Sequence, residues 1–140
     1  MPSQLYCTFY LAGNYLGVEV SRVQEIIRYQ QMRRVPLAHP VVQGLINLRG
    51  QIVTAINLSR RMEIEEQVKN HEPVNVVCRQ GDESTSLLVD EIGDVIEVQD
   101  ELYEECPDTI QGSWKEFIKG AYKLSDKLLL VLDTEKVINI

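Results

Sequence analysis

The chain is short of aromatic residues, histidine, cysteine and long apolar runs, and each shortage excludes something. No apolar stretch of its 140 residues approaches the ~20 needed to cross a bilayer as a helix. The opening residues, MPSQLYCTFYL, have neither the basic start nor the apolar core of an export signal. The sequence therefore predicts a cytoplasmic protein with no direct membrane insertion. Its two histidines, His39 and His71, lie 32 positions apart without thiol or carboxylate partners at ligand spacing, so no metal is expected. The three cysteines, Cys7, Cys78 and Cys106, are odd in number and widely spaced, which fits a reducing compartment. Cys7 and Cys78 sit in apolar runs and read as small core residues. Cys106 precedes Pro107 in an acidic stretch, where its thiolate is disfavoured. There is no GxxxxGK loop, no GxGxxG after a strand and no GxSxG elbow. Neither a cofactor nor a catalytic apparatus is expected.

What is present is a strong asymmetry of charge. The net charge is -7, yet Arg22, Arg28, Arg33, Arg34, Arg49, Arg60 and Arg61 fall in one segment that contains a single acid, Glu25. All six lysines come later, and from Asp82 to Asp108 there are eleven acids and no base. Two solvated faces of opposite sign would explain this, as would two binding surfaces. Arginine suits the second, because its planar fork pairs bidentately and is weakly hydrated. Nucleic acid is excluded as a partner by the acidic balance and by the lack of aromatic residues interleaved with the arginines. The run Asp100, Glu101, Glu104, Glu105, Asp108 has no calcium-loop spacing and reads as a solvated loop. An enzyme built on it would need carboxylates converging in a pocket.

Short strands dominate. Gln4–Leu11 and Tyr15–Val20 flank the turn signal AGN and form a hairpin. Ser21 and Gln24 have capping-box spacing, which predicts a short helix burying Val23, Ile26 and Ile27. MRRVP reads as a short strand stopped by Pro36. From Ile46 to Leu58 every second residue is mostly apolar, which predicts a hairpin with one buried face and Arg49 on the other. Gly50 beside it is expected to let another backbone approach closely. Further hairpins are expected from Pro73 to Glu91 and from Phe117 to Leu132, then a closing helix capped by Asp133. Roughly nine or ten hairpin-linked strands argue for barrels or a sandwich, here two small barrels rather than one large one. The charged stretch from Ser59 to Pro73 is the expected seam. A first barrel would span about 12–66, and a second 67–140 plus the N-terminal strand.

Four segments resemble the CheW family of bacterial chemotaxis coupling proteins. GLINLRGQIVTAINLSRRM carries the family's Gly and Asn-Leu-Arg-Gly signature at Gly44, Asn47, Leu48, Arg49 and Gly50. YLGVEVSRVQEIIR matches its Val-Gln-Glu-Ile run at Val23 to Ile26. LLVDEIGDVIEV and FIKGAYKLSDKLLLVLDTEKVI resemble its later segments. Thr54 and Asn57 depart from the family's proline and aspartate, although asparagine can still cap the short helix at Leu58 to Met62.

The resemblance implies a mainly β fold of two packed SH3-like five-stranded β-barrel subdomains with short helices. It implies a single domain over 1–140, with no kinase or receiver domain attached, and a non-catalytic adaptor. The implied partners are the regulatory domain of a CheA-type histidine kinase and the cytoplasmic tip of a methyl-accepting chemoreceptor. The protein would be a monomer alone and an array component in complex, recruited to membrane receptor arrays. Val23, Glu25, Gly44, Asn47 and Arg49 are the receptor-groove candidates, with Arg49 paired to Glu25 and with Val23 and Gly44 as the apolar floor. Arg33, Arg34 and Val35 are the kinase-docking candidates. The alternatives are an adaptor of a sister pathway serving pili or gliding, or an array component that does not bind the kinase.

Overall fold

The computed structural model describes residues 2–65, 72–105 and 112–139. His71, Cys106 and Asp108, named above, lie outside the described residues. Among the described residues eleven strands run in chain order: β1 Ser3–Leu11, β2 Asn14–Glu19, β3 Val23–Arg28, β4 Val42–Leu48, β5 Gln51–Asn57, β6 Val74–Gln80, β7 Glu83–Val89, β8 Glu91–Gln99, β9 Tyr103–Glu104, β10 Ile118–Lys123 and β11 Leu128–Leu132. Two short α-helices accompany them, α1 Leu58–Arg61 between β5 and β6 and α2 Thr134–Ile138 after β11. The strands form a six-stranded sheet, β8-β1-β2-β11-β10-β9, and a five-stranded sheet, β3-β6-β7-β5-β4.

The sheet memberships move the expected boundary. β2 lies between β1 and β11, while β6 and β7 join the sheet of β3, β4 and β5. The division therefore falls near residues 20 and 90, not at 66. The charged stretch after α1 links two strands of one sheet, so it is no seam.

Three apolar clusters explain why several strands read as unbroken apolar runs. The largest lies between the sheets and takes Phe9, Leu16, Ile56, Val76, Leu87, Leu130 and Leu132 from both. A second, with Tyr6, Val98, Tyr122, Leu129 and Val131, belongs to the six-stranded sheet alone. The third, with Ile46, Val53, Ala55, Val77 and Leu88, belongs to the five-stranded sheet. Side chains alternate across a strand, so Leu129 and Val131 face one cluster while Leu130 and Leu132 face another. A strand with a core on each face has no polar side, and LLLVL is the result.

Both sheets curl. Tyr6 on β1 and Tyr122 on β10 are not neighbours in the strand order, yet their hydroxyls meet at 3.3 Å and their ring centroids at 5.4 Å. In the other sheet Gln24 on β3 reaches past β6, its Oε1 accepting from Ser84 Oγ on β7 at 2.6 Å. Two packed, curled sheets with few short helices are the architecture expected of paired SH3-like subdomains.

The helix expected from Ser21 to Ile27 does not form. Val20–Arg22 makes one turn of 3-10 helix without a side-chain cap bond, and Val23 to Arg28 is extended as β3. The spacing of Val23, Ile26 and Ile27 fits a helix, but it also fits a strand with a bulge, and the register shifts between Val23 and Glu25. β-Branched residues in pairing with β6 settle the choice against the capping signal. MRRVP contributes only one bridging residue, Arg33, opposite Leu45.

Candidate functional site

The Arg49 turn joins β4 to β5 in a two-residue loop, with Leu48 opposite Gln51. Both loop residues have positive φ, 50° at Arg49 and 85° at Gly50. That is the signature of the type I′ turn, whose twist suits a tight hairpin. Gly50 is needed for this backbone and not for a close approach, since no atom would lie within 4 Å of a Cβ placed there. Asn47 steadies the turn by accepting the Gly50 N–H on Oδ1 at 3.0 Å.

A two-residue loop also inverts the pattern expected from alternation. Ile46 lies opposite Val53, and Asn47 opposite Ile52, so even positions on β4 share a face with odd positions on β5. Ile46 and Val53 are buried, and Ile52 is 60% exposed. The even row from Ile46 to Leu58 is therefore not one buried face.

Arg49 sits in the turn itself, and its guanidinium meets the Glu25 carboxylate on β3. β3 and β4 are opposite edges of the five-stranded sheet, so this ion pair spans the curl. Glu25 is mostly covered, with 21% of its side chain exposed, whereas Arg49 is open at 69%. Beside the pair, Gln51 Nε2 donates to Ser84 Oγ at 3.3 Å, and Ser84 donates to Gln24. These polar side chains, with Glu25 and Arg49, hold the mouth of the sheet. Sequence reasoning gave Gln24 only a capping role and passed over its link to Ser84 and Gln51, because nothing local connects positions so far apart.

The other candidates spread out. Val23 is half-buried against the inter-sheet core. Gly44 is buried under its own chain: a Cβ there would meet Met32 Cβ at 2.8 Å and the Arg33 carbonyl oxygen at 2.9 Å. Gly44 is thus the seat of the Met32–Arg33 segment and no open floor for a partner. Arg33 exchanges backbone hydrogen bonds with Leu45, at 2.9 and 2.8 Å. Next to that bridge, a groove of about 510 Å³ is lined by Met32, Arg33, Leu45, Asn47 and Ile52. Leu45 and Ile52 escaped notice because the alternation was carried unbroken through the turn. Arg34 is exposed and Val35 half-buried.

The arginines separate into two groups. Arg61 is structural: its guanidinium donates to the carbonyl oxygens of Val137 at 2.9 Å, Lys136 at 2.7 Å and Asn139 at 2.9 Å, and lies 4.8 Å from the Phe117 ring centroid. It clasps the end of α2 and ties α1 to it. Arg22 pairs with Glu135 at 3.4 Å across the junction of the sheets. There a cavity of about 220 Å³ is lined by Val18, Glu19, Arg22, Lys119 and Glu135. Arg28, Arg33 and Arg34 have no side-chain partner among the described residues.

Among the described residues no three His, Cys, Asp or Glu side chains gather as a metal site. Asp100, Glu101, Glu104 and Glu105 are all exposed around the two-residue β9. Burial pushes the Cys78 thiol up to about 12, with Cys7 adding to the shift. Burial also raises the Cys7 thiol. Both are core residues with no thiolate at neutral pH. No helix among the described residues is long and apolar enough to cross a membrane.

Comparison with known proteins fits this geometry. The family model of the CheW-like domain matches residues 5–140. The chemotaxis protein CheW of Treponema pallidum is 31% identical over 134 residues, covering 93% of this chain and 79% of the relative. That of Bacillus subtilis is 29% identical over 131 residues, covering 94% and 84%. The crystal structure of the scaffolding protein TtCheW from Thermoanaerobacter tengcongensis superposes with a TM-score of 0.87 at 22% identity, covering all of this chain and 90% of that one. The chain belongs to the CheW-like domain family.

Proposed function

From that membership we propose that the protein is a non-catalytic chemotaxis adaptor that couples chemoreceptor signalling tips to a CheA-type histidine kinase. The observation that carries the reading is the Arg49–Glu25 pair. It joins the two edges of a curled sheet while leaving most of the Arg49 side chain exposed. Asn47 fixes the turn that presents it, and Val23 flanks Glu25 on β3. A receptor helix would lie along this mouth, with polar contacts at the rim. The kinase domain would dock on the neighbouring surface, where Arg33 lines a groove with exposed Ile52 and is followed in the chain by Arg34 and Val35. An apolar anchor beside unpartnered arginines is the composition of a protein-binding face.

The test is titration calorimetry of this protein into the regulatory domain of its host's kinase, repeated with a receptor-tip helical hairpin present. Binding of both in the micromolar range, with neither excluding the other, is the expected result. Receptor binding without kinase binding would leave only an array component.

A further inference from the structure

We propose that the segment between β3 and β4, together with α1, forms a binding site for a phosphoryl dianion. A pocket of about 240 Å³ there is lined by Arg34, His39 and Arg60, with no Asp or Glu among the lining residues. From Ile26 to Met62 the chain carries no carboxylate at all, against a net charge of -7. The basic lining is therefore not neutralised from within its own segment.

The three basic groups are arranged as donors. Arg60 is held in place, its Nη1 donating to the Pro40 carbonyl oxygen at 3.0 Å, which leaves Nε and Nη2 to donate. His39 Nδ1 accepts the Val41 N–H at 3.2 Å, so in the neutral ring the proton sits on Nε2 and that nitrogen donates. Arg34 has no side-chain partner among the described residues.

The chemistry of the lining selects among anions. Two guanidinium charges match a dianion, and donors from three separate positions match an acceptor with three free oxygens. A carboxylate has two coplanar oxygens, which one guanidinium satisfies in a fork, leaving the second arginine idle. The pocket is smaller than the roughly 300–1,000 Å³ of sites that enclose a whole drug-sized ligand. It suits a phosphoryl group, not a nucleotide. The site does not rest on kinase or receptor binding.

The experiment is an amide-resolved NMR titration of the intact protein with sodium phosphate at constant ionic strength. Saturable shifts confined to Arg34, Ala38, His39, Val41, Gln43 and Arg60 are expected. Arg34→Gln should weaken binding about tenfold, the loss of one charge-assisted contact. Arg28→Gln, equally unpartnered but outside the pocket, should leave it unchanged. O-phosphoserine distinguishes the sources: tighter binding than phosphate identifies a phosphorylated side chain, and equal binding identifies the free ion. Shifts that never saturate, shifts that acetate reproduces at the same concentration, or an Arg34→Gln protein that binds like wild type would overturn the proposal.

Discussion

Replacing Arg49 with asparagine separates what the residue does for the fold from what it does for partners. Arginine is a poor choice for this backbone. A side-chain-bearing residue at φ 50° costs about 1 kcal/mol or more, whereas asparagine is among the residues that suit the first central position of a type I′ turn. Arg49→Asn should therefore recover about 1 kcal/mol of backbone strain. Against this stands the ion pair with Glu25. One partner is 69% exposed and the other 21%, so solvent screening limits the pair to about 0.5–1 kcal/mol. The two effects nearly cancel. Urea unfolding should place Arg49→Asn within about 1 kcal/mol of wild type, with Arg49→Ala lower, since alanine loses the pair and keeps the strain. Receptor-tip affinity should nevertheless fall at least tenfold in both, which is about 1.4 kcal/mol. Glu25→Gln and the double variant complete a cycle whose coupling in stability should stay below about 1 kcal/mol. An Arg49→Asn protein destabilised by more than about 2 kcal/mol would show a structural strut. One that kept both stability and affinity within twofold would refute the reasoning, because the strained arginine would then have no use.

Arg61→Ala removes three charge-assisted hydrogen bonds to carbonyls at the end of α2 and the contact with Phe117, and should cost about 2–4 kcal/mol in urea unfolding; Arg61→Lys, lacking the fork, should recover less than half. Gly44→Ala drives a Cβ against Met32 and the Arg33 carbonyl oxygen; a loss of about 1–3 kcal/mol is expected, with NMR shifts concentrated on Met32 to Val35. The Cys78 thiol, pushed up to about 12 by burial, stays neutral in the fold while the unfolded chain ionises near its ordinary value of 9.0. That contribution is complete below pH 9 and is lost as pH rises toward 12, by about 1.4 kcal/mol per pH unit. Unfolding free energies measured from pH 8 to pH 11 should fall less steeply in Cys78→Ala than in wild type, and equal slopes would count against the buried thiol.

Hairpins with short turns were legible because each signal was local. The turn signal AGN and the capping residue Asp133 were of this kind, and the structure has Leu11 opposite Asn14 and Asp133 accepting from Lys136. The misplaced boundary shows the other side. Which sheet a hairpin joins depends on parallel pairings, β5 with β7 and β2 with β11, that link distant positions with no local mark. β3 was missed for a related reason. Its helical spacing was real, but pairing with β6 outweighed a capping signal that gained no hydrogen bond.

The candidate site divides along the same line. Glu25 and Arg49 were legible as a pair because each stood out from its own segment, a lone acid among arginines and an arginine where a hairpin should turn. The polar chain from Gln24 through Ser84 to Gln51 was not, because glutamine and serine near strand ends carry no such contrast. Ile52 was lost to a parity error alone: a loop of two residues changes which positions share a face, so an apolar residue that reads as core is carried outward. Counting across the turn instead of through it puts Ile52 and Leu45 together on the face opposite Ile46 and Val53. The same count makes Ile52→Ser a clean measurement. A 60% exposed isoleucine should cost less than about 0.5 kcal/mol of stability on replacement. If it anchors the kinase domain, affinity should fall at least tenfold. A loss of stability without a loss of affinity would return Ile52 to the core and the groove to solvent.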